Sequence, residues 1–341
     1  MKRLTVNLLI IGVIIAWSLP LSVLAGPVKK EYTLHLATQM PITHTITKAA
    51  DLMAKRASEL SDGKITIKVH PGGAMFSDRQ IPEATMSRGC DIGISTANTW
   101  AKHARGMSFW EVPFLIPPSV PVGELVKETI PFFDKTLMAK GGKLLGYAYY
   151  GYIEGLVTAK KEVKKPSDVN GLKLRIYDRT HLPGFKAFGA APVVMSSKEV
   201  YIGLQRGVLD GALSGLSSIV HRKWMEICKY VIAIPNLVSC PSHPFPIVVN
   251  RTVWESMEPA AQKIVMQSAA DAAQFAEKDV KEMADKNLET LRSKMTVYKL
   301  EVGSPEWNEW KDALSGPGKE KFLKDNPKAG PALVKMIEKL S

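Results

Sequence analysis

Pro166-Ser167-Asp168-Val169-Asn170-Gly171-Leu172-Lys173-Leu174-Arg175-Ile176 sets a turn in front of a short alternating stretch. Side chains on a strand point alternately to its two faces, so Leu172, Leu174 and Ile176 share one face and Lys173 and Arg175 the other. A planar guanidinium on a rigid strand is suited to grip a carboxylate through two parallel hydrogen bonds. A strand arginine met alone more often lies on a solvated face. The surrounding sequence has to decide between the two.

Downstream, the pattern predicts a helix over 180–188, a short strand over 192–195 and a helix over 198–205 that stops at Gly207 and runs into Val208–Leu213. Upstream, strands are predicted over 32–37, 65–69, 91–95 and 143–150, with helices over 49–60, 78–88 and 122–140. This rhythm is that of a mostly parallel, helix-covered sheet, repeated in two halves. Ligands of open α/β sheets sit beyond the carboxyl ends of strands, which directs attention to the loops after Ala37, Ser95 and Leu213 and to the end of the Arg175 strand. Residues 259–295 are nearly all good helix formers with Pro259 in the first turn. One helix of that length would be about 55 Å long and would span both halves; two helices with a break between them fit the same pattern. The tail from Gly303, with Trp307, Trp310 and Phe322 among charges, reads as small capping helices.

The N-terminus carries Lys2 and Arg3, an apolar run from Leu8 to Trp17, and Ser22-Val23-Leu24-Ala25 with small residues where a signal peptidase reads. That predicts a signal peptide over residues 1–25, cleaved after Ala25. The apolar run is well short of the roughly 20 residues of a membrane span. The formal charge of +12 suits anionic partners. The lysines are dispersed, and the one dense run, Lys160–Lys165, has no aromatic interleaving, so nucleic acid is not expected as a partner. Cys90, Cys228 and Cys240 form no disulfide framework; a Cys228–Cys240 bridge and three buried thiols both remain open. Metal-site spacings, nucleophile elbows and glycine-rich phosphate loops are absent, so neither a cofactor, a metal nor a catalytic centre is expected.

With these pieces in place, the chain resembles the periplasmic solute-binding component of tripartite ATP-independent periplasmic (TRAP) transporters, the C4-dicarboxylate-binding type. The match is carried by 166–176, then Phe188-Gly189-Ala190-Ala191-Pro192-Val193-Val194-Met195, Glu199-Val200-Tyr201 and Leu204-Gln205-Arg206-Gly207-Val208-Leu209-Asp210-Gly211, in that order. The resemblance implies a two-lobed α/β receptor with mixed sheets, hinge strands and a long helix spanning both lobes. It implies a first lobe over 31–150 with 242–275 and a second over 151–241 with 276–341. It further implies a monomeric periplasmic protein that closes over an organic acid and hands it to a membrane permease. A binding protein of an ATP-driven importer shares the two-lobed plan but not the Arg175 block. By the same resemblance, Arg175 pairs with the ligand carboxylate.

The chain departs from that pattern in three places. Ser214 stands where several members have an asparagine, Ser197 where others set an aromatic ring, and Tyr149–Glu154 where some carry a second arginine. One cationic anchor among aromatics suits a monocarboxylate with an apolar or aromatic body; a dicarboxylate is the alternative. Besides Arg175, Ser214 and Ser197, the candidate ligand contacts are Tyr177, which shares the face of Arg175, and Gln39 in the loop after the first strand. Thr96 and Trp100 beyond a strand end, Tyr150 and Tyr152 around Gly151, and His243 near the return crossing complete the set.

Overall fold

A computed structural model describes residues 27–151, 153–238 and 243–341. The expected signal peptide, Tyr152 and the Cys228–Cys240 pairing lie outside the described residues. The chain alternates strands and helices through β1 (Tyr32–Thr38), β2 (Ile65–His70), β3 (Ile92–Ile94), β4 (Gly142–Tyr149), β5 (Ile153–Thr158) and β6 (Lys173–Ile176). It continues through β7 (Ala191–Val194), β8 (Gly211–Gly215), β9 (Tyr230–Pro235), β10 (Pro244–Asn250) and β11 (Thr296–Lys299). Two sheets result, one ordered β2-β1-β3-β10-β4 and the other β11-β9-β5-β8-β6-β7.

Both sheets are mixed, for a reason the local rhythm does not carry. β1 runs parallel to β2 and β3, but β10 returns from the other sheet and enters antiparallel between β3 and β4. β5 likewise leaves the first sheet and lies antiparallel to β8 and β9. Flanked on both edges and packed on both faces, β5 is buried from Glu154 to Thr158. Such a strand has no polar alternation to betray it. Two predicted helices are shorter than expected. Ile81–Met86 replaces 78–88, and 180–188 becomes a 3₁₀ turn at Arg179–His181 followed by Leu182–Ala187. Pro82 and Pro183 each fit only a first helical turn, which fixes where these helices begin.

Pro259–Arg292 is one helix of 34 residues, about 51 Å at the α-helical rise. Its first half buries Ala261, Val265, Ala269, Ala272 and Ala276 in the core of the first sheet. Leu288 and Leu291 enter a core of the second. Between Val280 and Asn287 no side chain of the helix is buried. The tail then crosses back. In the helix Pro305–Asp325, Trp307 and Trp310 pack under the second sheet, with indole N–H groups donating to the carbonyls of Pro235 at 2.8 Å and Lys164 at 3.0 Å. The last helix, Ala329–Leu340, buries Leu333 and Ile337 against Val122–Met138 beside the first sheet. It therefore sits apart from the second lobe, with which the sequence reading had grouped it.

Contacts of Tyr150 fix the first crossing. The Tyr150 ring stacks on Phe245 at 4.8 Å and on His44 at 5.1 Å, and its N–H donates to the His243 carbonyl at 3.0 Å. Across the gap, a Cβ on Gly215 of β8 would lie 2.5 Å from the Tyr150 ring, so only glycine admits this approach. His44 caps the helix Thr45–Leu60: its Nδ1 accepts from the Ile46 N–H at 3.2 Å, a role open only to an unprotonated ring nitrogen. Burial, reinforced by His221 and Arg222, holds the His44 pKa well below its ordinary value.

Two outcomes follow. The unfolded chain protonates His44 below about pH 6.5 while the folded chain resists, so this stability is present above that pH and lost as pH falls. Asparagine keeps a capping acceptor without a titrating group. In urea unfolding at pH 7 and pH 5, His44→Asn should lose less stability between the two than the unaltered protein, by about 1 kcal/mol or more; equal losses would rule the cap out as the titrating element. Gly215→Ala should cost about 1–3 kcal/mol by overpacking against Tyr150, and an unchanged urea midpoint would show that the ring moves aside freely.

Candidate functional site

The loops beyond β1, β3, β6 and β8 face one another across the gap between the sheets and enclose a cavity of about 610 Å³. This lies inside the range of small-molecule sites. Gln39 enters from beyond β1 and Thr96, Asn98 and Thr99 from beyond β3; Tyr177 and Asp178 follow β6, and Ser214 and Gly215 end β8. The crossing strands contribute Tyr150, Glu154 and His243.

Arg175 is the buried cation of this cavity. β6 pairs with β7 on one edge and β8 on the other, with Arg175 opposite Val193 and Ala212, so its backbone is held on both sides. The side chain is 3% exposed. Its Nε donates to the Met195 carbonyl at 3.1 Å and Nη1 to the Leu213 carbonyl at 2.8 Å. Among the described residues Nη2 donates to no protein atom, and no carboxylate lies within ion-pair reach of the guanidinium. Burial lowers the Arg175 pKa to about 10, with the charge of Asp78 acting the other way. The group therefore stays cationic at neutral pH: oriented by two carbonyls, stacked 5.7 Å over the Tyr177 ring, and without an anion.

Of the other expected residues, seven line the cavity with Arg175: Tyr177, Ser214, Gln39, Thr96, Tyr150, Ser197 and His243. Several are engaged with one another. Tyr150 Oη lies 3.1 Å from Ser214 Oγ, and Ser197 Oγ donates to Gln39 Oε1 at 2.9 Å, a bond that ties the two sides together. Trp100 departs from expectation. The short helix Ala97–Trp100 turns the indole back under Gly93, where it is fully buried in the first core and does not reach the cavity.

Four residues here lie outside the candidate set drawn from the sequence. Glu154 was hidden in the unrecognised strand β5, and Asp178 simply follows Tyr177. Asn98 spans the gap by donating from Nδ2 to the Tyr177 carbonyl at 2.7 Å. Arg222, after the helix Leu216–His221, reaches the Gln39 carbonyl at 3.0 Å and also its Oε1. Nothing in the local sequence marks that contact.

Beneath the cavity lies a buried ion pair. His243 Nε2 is 2.7 Å from Glu111 Oε1, and His243 Nδ1 is 3.9 Å from Glu154 Oε1. Burial opposes charge on this imidazole, but Glu111 and then Glu154 outweigh it and push its pKa up to about 10. Burial likewise raises Glu111, against the pull of His243. His181 Nε2 braces the same corner by donating to the Glu111 carbonyl at 2.7 Å.

Comparison with known proteins accords with this geometry. Residues 36–325 match the model of the bacterial extracellular solute-binding protein family 7. The 2,3-diketo-L-gulonate-binding periplasmic protein YiaO of Escherichia coli is 23% identical over 86% of this chain and 89% of its own length. The C4-dicarboxylate-binding periplasmic protein DctP of Rhodobacter capsulatus is 24% identical over 88% and 89%. Among solved structures, the sugar acid binding protein of Advenella mimigardefordensis in complex with galactonate superposes with a TM-score of 0.81 at 23% identity, covering 92% of this chain and 99% of that one. A TRAP periplasmic solute-binding protein of Sulfurospirillum deleyianum with bound succinate gives 0.78 at 21%, covering 92% and 100%. A marine metagenome TRAP protein in complex with pyroglutamate gives 0.81 at 19%, covering 91% and 100%. The chain belongs to the bacterial extracellular solute-binding protein family 7, and its two-lobed mixed α/β fold is that of the TRAP solute receptors.

Proposed function

We propose that this protein is a periplasmic receptor that takes an organic acid, a monocarboxylate, into the cavity between its two sheets and presents it to a TRAP membrane permease. The observation that carries the reading is Arg175: a buried guanidinium, fixed by two carbonyls, with one edge unpaired at a cavity of about 610 Å³. A carboxylate there would neutralise the charge and accept the remaining N–H groups. Tyr177 packs on the guanidinium, while Tyr150 and Ser214 lie alongside. Gln39 and Ser197 bridge the two sides, Thr96 borders the same cavity, and His243 forms part of its floor. Related proteins with bound galactonate, succinate and pyroglutamate share the fold and each hold an acid. The chain works alone, without chemistry on its ligand and without a cofactor; binding and release are the whole of its task.

A thermal-shift screen of mono- and dicarboxylates identifies the acid, since a ligand at a hundred times its dissociation constant stabilises by about 2.7 kcal/mol. Titration calorimetry with that acid should then find Arg175→Ala weaker by two to three orders of magnitude, corresponding to about 3–5 kcal/mol for stripping one partner from a buried pair. Affinity retained by Arg175→Ala would remove the anchor, and a dicarboxylate giving the largest shift would overturn the monocarboxylate assignment.

A further inference from the structure

At the crossing strands the cavity has a second pole, made of buried polar atoms that no protein group satisfies. Glu154 is 5% exposed, and its Oε2 has no hydrogen-bond partner. Asn98 Oδ1, Tyr177 Oη and His243 Nδ1 share that condition. All four residues line the same cavity. They are also neighbours: His243 Nδ1 is 3.9 Å from Glu154 Oε1, the Tyr177 and His243 rings are 6.1 Å apart, and Asn98 is bonded to the Tyr177 carbonyl. Buried polar atoms in folded proteins are almost always paired. Four orphans at one cavity wall therefore describe a group that belongs between them.

Their chemistry says what that group is. Asn98 donates through Nδ2, which leaves its carbonyl oxygen, an acceptor, unpaired. Glu154 Oε2 is an acceptor as well. The imidazolium, paired with Glu111 through Nε2, offers an N–H at Nδ1. Tyr177 Oη can do either. Two acceptors, one donor and one hydroxyl fit a ligand group that itself donates and accepts, such as a hydroxyl, or an N–H beside a carbonyl. They do not fit a second carboxylate, which would face the oxygens of Glu154 and Asn98, while the positive charge of His243 is already matched by Glu111.

We propose that Glu154, Asn98, Tyr177 and His243 form a subsite for a hydrogen-bond donor on the ligand, so that the acid is a monocarboxylate bearing a hydroxyl or an N–H group. This rests on Arg175, 5.7 Å from the centre of the Tyr177 ring, holding the carboxylate. Affinity divides between the two poles: Arg175 selects for an acid, and the Glu154 wall selects which acid.

Matched probes test it by calorimetry. Erythronate, butyrate and succinate share four carbons and differ in carrying hydroxyls, nothing, or a second carboxylate; pyroglutamate and cyclopentanecarboxylate differ in the ring N–H and carbonyl. At least one donor-bearing acid should bind about a hundredfold or more tighter than its donor-free match and than succinate, because a site built to bond a polar group rejects the analogue lacking it. Glu154→Gln and Tyr177→Phe should each reduce that advantage about tenfold. Tyr177→Phe removes an oxygen bonded to nothing, so it keeps the test open if Glu154→Gln folds poorly. The proposal is overturned if succinate or the donor-free acids bind as tightly as their donor-bearing matches, if neither donor-bearing acid binds, or if both variants keep the wild-type ratio. Arg175→Ala separates the two readings. Binding that survives it sinks the anchor, whereas an Arg175-dependent preference for succinate sinks only the donor subsite.

Discussion

A positive charge kept out of water with no acid beside it is the constraint around which this molecule is arranged. The Arg175 guanidinium is held by the carbonyls of Met195 and Leu213, which orient it but cannot cancel its charge. Such a group is tolerated only where the surroundings cannot relax onto it. β6 supplies that rigidity, because it is hydrogen-bonded to β7 and β8. The site is therefore set by the sheet and merely furnished by the loops. Ser214 and Tyr177 line the same cavity as Arg175 because Ser214 lies near the end of β8 and Tyr177 directly follows β6.

The opposite wall is organised by a different means. His243 and Glu111 neutralise each other at 2.7 Å under the cavity floor, in surroundings that would otherwise push both toward their uncharged forms. Pairing one charge inward leaves Glu154 and its neighbours to face the cavity. Contacts that join the two sheets run around the same space: Ser197 and Arg222 to Gln39, and Asn98 to Tyr177. Each uses a side chain from one side and a loop from the other. The cavity closed between them is thus bounded by bonds that separation of the sheets would break.

How far the chain could be read without coordinates depended on whether each feature is local. Arg175 and Tyr177 were legible because strand parity is local, and Ser214 because it lies near the end of a strand. The long helix was legible from its unbroken run of helix formers. β5 was not, because burial on both faces erases alternation, and Glu154, named only as the end of the 149–154 segment, was not put forward as a contact. The antiparallel entry of β10 depends on which sheet the chain returns to, and no local pattern encodes that. Arg222 meets Gln39 across 183 residues of sequence, for the same reason invisible. Trp100 illustrates the converse: its position beyond a strand end was correct, but the turn of a four-residue helix sends the ring inward.

The long helix has a mechanical consequence. It is clamped by alanines in one core and by leucines in another, and between Val280 and Asn287 it has no buried side chain. A beam fixed at both ends and unsupported in the middle bends where the support is missing. Any rotation of one sheet against the other would therefore load first this span of less than two turns. Stiffness in that span, rather than the strength of either core, then sets how far the two halves swing for a given push.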